Sequence, residues 1–223
     1  MAREHQQKPS PPPAPRLYLA VPAVERSAEL ARDLGALLDA AEVAAVLLRL
    51  PPLAERDLVA HVRAIAPTVQ GRGVALVLDG HAKIAVEADV DGAHLTGIAA
   101  LTAALERLKP ARIAGAGGLL SRHDAMLAAE RGADYVMFGG PGSGRPPFEA
   151  IIERVAWWSE LFEPPCVAHA ESLDEVAALA AAGADFVAIG ALVFSESGAA
   201  STMIRAAAAR LAPAPVKPIP VRR

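Results

Sequence analysis

GADYVMFGGPGSGR, residues 132–145, combines a helix stop at Gly132, a short buried strand and a glycine-rich loop that ends in a cation. A partial copy, GADFVAIGA, occupies residues 183–191, and a fainter copy, ADVDGAHLT, occupies residues 88–96. Each copy follows an alanine-rich helical run, and its apolar core ends at a small or polar residue. A unit of this length that recurs along a chain is typical of a strand–helix repeat.

Apolar runs and helical patterns alternate on both sides of this stretch. The predicted strands are residues 17–21, 44–50, 74–78, 92–95, 112–114, 135–138, 166–168 and 186–189. A helix follows each of them, and the last helix is predicted over residues 198–211. The strands are continuous apolar runs, which is typical of parallel strands that are covered on both faces.

Eight strand–helix pairs in 223 residues favour closure of the sheet. An open, doubly wound sheet is the alternative, but the glycine pattern of a dinucleotide-binding fold is missing after the first strand. The sequence therefore predicts a single (β/α)8 barrel over residues 16–212. A disordered proline-rich tail is predicted at residues 1–15, and a proline-rich basic tail at residues 213–223.

Net charge, cysteine count and the length of the apolar runs indicate which partners and which cellular compartment to expect. A net charge of −3 gives no electrostatic reason to expect nucleic acid or an anionic membrane as a partner. The single cysteine, Cys166, cannot form an internal disulfide, and no apolar run reaches the length of a membrane span. We therefore expect a cytoplasmic protein.

In a (β/α)8 barrel the carboxyl ends of the strands line the mouth, where the active site lies. Arg49 ends an apolar strand, so it is aimed either at a bound anion or at a partner carboxylate. Asp79 precedes a helix, which favours an N-cap, with metal binding as the alternative. His81, His94 and His169 are candidate catalytic acid–base groups or a three-histidine metal site, although their spacing carries no metal motif.

The loop at residues 139–145 follows the sixth strand and ends at Arg145. It has the glycine spacing of a nucleoside-triphosphate loop, but an arginine and Pro146 replace the lysine and the hydroxyl residue of that motif. Exposed glycine N–H groups beside a cation can still hold an anion. The candidate phosphate- or ligand-binding residues are Gly117, Gly118, Gly140, Gly142, Ser143, Gly144, Arg145 and Gly190.

Several segments together resemble thiamine-phosphate synthase and its sister enzyme, the thiazole tautomerase. They are residues 17–22, 76–85, 91–95, 132–136 and 183–190. The resemblance implies a (β/α)8 barrel that is commonly dimeric, so we expect a homodimer and a phosphorylated small-molecule ligand. It also implies the family reaction, in which hydroxymethylpyrimidine pyrophosphate and thiazole phosphate condense with Mg²⁺ and release pyrophosphate.

The catalytic positions of that family are matched in part. Arg49 stands at the arginine of the family's Gln-x-Arg-x-Lys pattern, Asp79 begins the segment that replaces Asn-Asp-Arg, and His94 stands at the histidine of Val-His-Leu. Ala99 replaces the second metal aspartate, and residues 117–118 replace a Ser-Thr pair. The Thr-x-Thr-Lys segment becomes residues 144–147, and a glutamate, residue 171, stands in the phosphate turn after the seventh strand.

These replacements leave three functions open. The first is the family's condensation on an altered site, with Asp79 as a candidate Mg²⁺ ligand and Arg145 as a substitute cation. The second is a thiazole-tautomerase-like or other acid–base reaction on a small molecule. The third is a barrel that binds a ligand or a partner protein without catalysis, because a pyrophosphate leaving group depends on metal and cationic clamps that the altered positions no longer supply.

Overall fold

The computed structural model describes residues 14–140, 144–195 and 199–211. Eight parallel strands close into a barrel in sequence order, with β8 paired to β1, so the predicted (β/α)8 barrel is confirmed. The strands are β1 (Arg16–Val21), β2 (Val43–Leu48), β3 (Ala75–Asp79), β4 (Gly92–Thr96), β5 (Ile113–Gly117), β6 (Tyr135–Phe138), β7 (Cys166–Ala170) and β8 (Phe186–Ile189). Apart from residues 14 and 15, both predicted tails lie outside the described residues.

Helices follow every strand and form the outer layer. They are α1 (Ser27–Ala40), α2 (Glu55–Gln70), α3 (Ala82–Glu87), α4 (Ile98–Leu108), α5 (Arg122–Glu130), α6 (Phe148–Leu161), α7 (Leu173–Ala181), α8 (Ala191–Phe194) and α9 (Ala200–Leu211). The short helix α8 was not predicted, and the last predicted helix, residues 198–211, corresponds to α9. Within the described ranges, none of these helices has the length and apolarity needed to span a bilayer.

Alternate residues of each strand point into the barrel, and the others pack beneath the helices. The inward-facing core is small and consists of Tyr18, Ala45, Leu47, Val77, Tyr135, Met137, Val167 and Ala188. The same alternation places polar side chains at the mouth, two residues beyond an inward-facing core residue. Arg49 lies two residues after Leu47, Asp79 two after Val77 and His169 two after Val167. Strand period and strand length together therefore position the site.

The aspartate of each sequence repeat has a structural role at the opposite end of the barrel. Asp134 accepts a hydrogen bond from the Ala114 N–H at 2.7 Å and donates its own N–H to the Ala114 carbonyl at 2.9 Å. Two further pairs make the same reciprocal contact, Asp91 with Leu76 and Asp185 with Cys166. Each aspartate thereby ties the start of its strand to the start of the preceding strand, and we call the three pairs the basal clasps.

Removing one basal clasp is expected to destabilise the fold by about 2 kcal/mol, because a hydrogen bond to a charged acceptor contributes about 1.5–3 kcal/mol. Asp185→Ala is the cleanest test, since the described contacts of its side chain are confined to the strand start. Asp33→Ala is the control, because Asp33 is exposed and pairs only with Arg32 among the described residues. Urea unfolding at pH 7 measures both, and an Asp185 variant as stable as the control would contradict the role of the clasp.

Strand β5 differs from its prediction. The apolar pattern predicts that this strand ends at residue 114 and that the following glycines form a loop, whereas the strand continues to Gly117. A Cβ atom on Gly115 would overlap the ring of Tyr135, and one on Gly117 would overlap the imidazole of His94. These glycines face into the barrel, and the space that they leave is filled by larger side chains from the two neighbouring strands.

Candidate functional site

A cavity of about 310 Å³ opens at the carboxyl ends of the strands. Its volume lies at the lower end of the range for small-molecule sites, about 300–1,000 Å³. Its polar and charged lining side chains are Arg49, Asp79, His94, Thr96, Arg145, Arg154 and His169. The barrel thus gathers five of the side chains that the sequence analysis had placed at the mouth.

Arg49 and Asp79 form an ion pair across the ends of β2 and β3. Nε of Arg49 donates to Oδ2 of Asp79 at 3.1 Å, and the two side chains keep 42% and 25% of their surface exposed. The two terminal nitrogens of Arg49 donate to no residue that the structure describes. The expected N-cap role of Asp79 is not formed, since the residue that caps α3 is His81, without a side-chain hydrogen bond.

His94 is the end of a hydrogen-bonded chain that runs down inside the barrel. Its Nδ1 lies 2.9 Å from the hydroxyl of Tyr135, which lies 2.8 Å from the hydroxyl of Tyr18. Burial lowers the pKa of His94 to about 4; Asp79 raises it in part, and Arg49 lowers it further. Burial also raises the pKa of both tyrosines, so all three groups are neutral at pH 7.

His169 lies across the mouth from His94, on β7, and is 2% exposed. Its Nδ1 is buried without a hydrogen-bond partner within the described part of the chain. Burial, reinforced by the charges of Arg145 and Arg49, lowers its pKa to about 4. This histidine also borders a smaller adjoining cavity of about 140 Å³, which Gly190 lines as well.

Arg145 is engaged by carboxylates. One terminal nitrogen donates to Glu175 at 2.6 Å, and the other lies 3.7 Å from Glu171. The side chain is only 13% exposed and stacks its guanidinium over the ring of Phe148 at 5.7 Å. The charge of Arg145 is therefore offset by these two carboxylates, although the residue lines the cavity.

The remaining predicted site residues are distributed unevenly. Gly118, Gly140 and Gly144 line the mouth cavity, whereas Gly117 lies behind the ring of His94. His81 lines a separate groove among α2, α3 and α4, so it does not meet the other two histidines. Gly142 and Ser143 lie outside the described residues.

The mouth does not fit the Mg²⁺ that the resemblance implies. Mg²⁺ prefers carboxylate and other oxygen ligands, and Asp79 is the only acidic side chain among the described residues that line the cavity. Its Oδ2 is already held by Arg49. Across the described ranges, no group of three or more His, Cys, Asp or Glu side chains is arranged to hold a metal ion. The described lining of the mouth therefore does not supply the ligands of a Mg²⁺ site.

Sequence reasoning missed Tyr18 and Tyr135, the groups that hold His94. Both were counted as apolar strand residues, and only the closure of the barrel, which turns one face of β1, β4 and β6, three strands that do not pair with one another, toward a common interior, brings their hydroxyls and His94 together. One signal was present: the alternation of glycine along β5 indicates that large side chains must enter the barrel from neighbouring strands. Arg154 was also missed; it reaches the mouth from α6 and donates to the carbonyls of Leu119 and Leu120.

The observed architecture is a (β/α)8 barrel with a cavity at the carboxyl ends of the strands, where proteins of this fold have their active sites. A family model described as thiamine monophosphate synthase matches residues 17–193. The chain belongs to this family.

Curated relatives support the same assignment. The thiamine-phosphate synthase of Rhodospirillum centenum is 38% identical over 179 residues, which cover 78% of this chain and 86% of the relative. The protein of the same name from Hyphomonas neptunium is 32% identical over 211 residues, which cover 88% and 93%. The resemblance that the sequence segments carried is thereby confirmed.

Solved structures share the architecture. Thiamine phosphate pyrophosphorylase from Pyrococcus furiosus superposes with a TM-score of 0.73 over 88% of this chain and 95% of its own, at 19% identity. A 3-hexulose-6-phosphate synthase superposes with a TM-score of 0.66 over 86% and 99%, at 16% identity. At these identities the likeness concerns the fold alone.

Proposed function

We propose that the protein binds a phosphorylated small molecule of the thiamine-precursor class at the barrel mouth and acts on it through His94, by hydrogen bonding and proton transfer, without a divalent cation. One observation carries the proposal. Asp79 holds Arg49 through Nε alone, so the two terminal nitrogens beside the cavity have no partner among the described residues. A guanidinium with two such donors matches the geometry of a phosphate group.

Charge balance at the mouth supports a monophosphate over a pyrophosphate. Asp79 offsets Arg49, and the two glutamates offset Arg145. Arg154 keeps its positive charge, but both of its terminal nitrogens already donate to backbone carbonyls. Because displacement of pyrophosphate requires stabilisation of several negative charges at once, this set of side chains suits a ligand with a single phosphate group.

Neutral His94 supplies the second contact. Its imidazole lines the cavity on β4, adjacent in register to Asp79 on β3. A neutral imidazole can donate or accept one hydrogen bond at the ligand, and it exchanges protons without a metal. We assign His94 to the ring or acyl portion of the ligand and Arg49 to its phosphate.

The family's condensation reaction is the second candidate. It is favoured by the relatives named thiamine-phosphate synthase and by Arg49, Asp79 and His94, which stand at positions of the family's catalytic pattern. The two candidates differ in one requirement that an assay can control, since the condensation consumes a pyrophosphate ester and the family carries it out with Mg²⁺.

Thiazole phosphate, added without Mg²⁺ at about 100 times its Kd, is expected to raise the melting temperature by roughly 5 °C or more. Arg49→Ala should weaken its binding at least about tenfold, because the charged hydrogen bonds to phosphate are lost. The matched control is Arg56→Ala, an exposed arginine on α2 outside the mouth. Failure of the wild-type protein to bind, or equal loss in both variants, would contradict the proposal.

The same preparation decides between the candidates. It is incubated with both thiamine precursors, with Mg²⁺ in one reaction and a chelator in the other. Under the proposal, thiamine phosphate does not accumulate in either reaction. Formation of product that requires both Mg²⁺ and Arg49 would establish the second candidate instead.

A further inference from the structure

We propose that Tyr135, oriented by Tyr18, is a positioning residue that fixes His94 as the neutral tautomer with its proton on Nε2. The mouth then presents a hydrogen-bond donor at β4, and the ligand carries an acceptor atom there, such as a carbonyl oxygen, a carboxylate oxygen or a ring nitrogen. The ligand part rests on the proposed function, whereas the tautomer rests on the barrel interior alone.

The hydrogen-bonded chain of His94, Tyr135 and Tyr18 ends at Tyr18, inside the barrel. Tyr18 and Tyr135 are 2% and 6% exposed, and their rings meet edge to face with centroids 5.9 Å apart. The His94 ring stacks on Tyr135 with an interplanar angle of 12°. The hydroxyl of Tyr18 has Tyr135 as its only hydrogen-bond partner among the residues that the structure describes.

The number of protons available to the two hydrogen bonds determines which tautomer of His94 is favoured. The three groups share two hydrogen bonds, one between the hydroxyls and one between Tyr135 and Nδ1 of His94. If Nδ1 is bare, the two hydroxyl protons fill both bonds: Tyr18 donates to Tyr135, which donates to Nδ1. If Nδ1 carries a proton, three protons compete for two bonds and one buried donor is left without an acceptor, which is costly.

The other ring nitrogen, Nε2, is therefore the protonated one. It packs against Gly117, where a Cβ atom would overlap it. It has no hydrogen-bond partner within the described ranges, and it is not one of the side-chain nitrogens that are fully buried without a partner. Since His94 lines the cavity, its N–H is available to a bound molecule.

Long-range ¹H–¹⁵N spectra of the histidine-labelled full chain test the tautomer without any ligand. His94 is assigned by the signals that disappear in His94→Gln. The expected result is a protonated Nε2 and a bare Nδ1, with the Nε2–H form favoured at least about tenfold. A proton on Nδ1 in the wild-type protein would overturn the proposal.

Two tyrosine variants separate positioning from packing. Tyr135→Phe removes the donor to Nδ1, so the preference between tautomers should fall to within about threefold, or reverse. Tyr18→Phe also removes one buried hydroxyl, but the hydroxyl of Tyr135 can still donate its proton to Nδ1 of His94. His94 should therefore keep its own proton on Nε2. An unchanged tautomer in Tyr135→Phe, with native near-ultraviolet circular dichroism, would refute the positioning role.

The proposal that Nε2–H of His94 donates to the ligand is tested by a separate measurement. Thiazole phosphate should shift the Nε2–H proton signal of His94 in the wild-type protein and in Tyr18→Phe, with affinity at least about fivefold lower in Tyr135→Phe. If the ligand binds but leaves that signal in place, the donor assignment is wrong. If the tautomer is as expected but no thiazole phosphate binds, the proposed function fails while the positioning role of Tyr135 stands.

Discussion

Acidification from pH 7 to pH 5 is expected to lower the free energy of unfolding by about 4 kcal/mol, through His94 and His169 alone. Both have a pKa of about 4 in the folded protein, against an ordinary value of 6.5. Between these two values the unfolded chain binds more protons than the folded protein, so stability falls as the pH falls. Each histidine contributes about 2 kcal/mol at pH 5.

Burial is the main cause of the lowered pKa of both histidines, and the neighbouring charges do not cancel its effect. His94 faces Asp79, whose charge opposes burial, and Arg49, whose charge reinforces it. His169 faces two arginines, 145 and 49, against the single carboxylate of Glu175. Carboxylates contribute mainly below this window, because their ordinary pKa values lie near 4.

Urea unfolding at pH 7, 6 and 5 measures the effect. His169→Gln should reduce the loss of stability at pH 5 by about 2 kcal/mol, since glutamine does not titrate in this range. His61, whose pKa is also lowered by burial, adds to the remaining slope in the same direction. His123→Gln is the control, because His123 is exposed on the first turn of α5, outside the mouth. A flat profile between pH 7 and pH 5 would show that the two imidazoles are not held neutral.

Gly115→Ala should cost about 3 kcal/mol, the upper part of the range for overpacking a close-packed core. The added methyl group would overlap the ring of Tyr135, whose position is fixed by its hydrogen bonds to Tyr18 and His94. The surrounding barrel wall consists of paired strands, so neither partner can move without breaking the chain that holds His94. The variant should therefore lose ligand affinity together with stability.

Gly140→Ala is the matched control, because none of the described residues comes within 4 Å of a Cβ atom there, apart from its neighbours in the chain. It should change stability by less than about 0.5 kcal/mol. A double-mutant cycle gives the sharper measurement: in a Tyr135→Leu background, Gly115→Ala should cost less than about 1 kcal/mol, since the overlapping ring atoms are gone. Equal costs in both backgrounds would mean that the clash lies elsewhere.

Local pattern was enough to predict the barrel, because a buried parallel strand and its covering helix leave a signal within about twenty residues. The placement of Arg49, Asp79, His94 and His169 at the mouth could be predicted for the same reason. Each lies within the last three residues of a strand or directly follows it. His81 was misplaced because Gly80, with φ of 77°, turns the chain away from the mouth. A glycine with positive φ is not distinguishable in sequence from one in a regular loop.

Long-range pairing accounts for what the sequence did not predict. Arg145 was expected to offer its charge to a ligand, but Glu175, 30 residues later, lies beside it. The glycines of β5 were placed in a loop because glycine is rare in strands. Their reason for being in a strand is the bulk of Tyr135 and His94, which lie on other strands. Such complementarity becomes visible only when the barrel is closed.

The contact between Gly117 and His94 also limits which side chains the chain accepts at residues 117 and 118. A Ser-Thr pair, which the resemblance to the synthase family would place there, puts a Cβ atom at residue 117 against the imidazole. At the second position, Gly118 has φ of 63°, and a Cβ atom would lie 2.6 Å from Thr96. Hydroxyl side chains at these two positions are therefore incompatible with the present placement of His94 and Thr96. The two positions are in this sense epistatic with β4, because a side chain enters at residue 117 only if the imidazole moves.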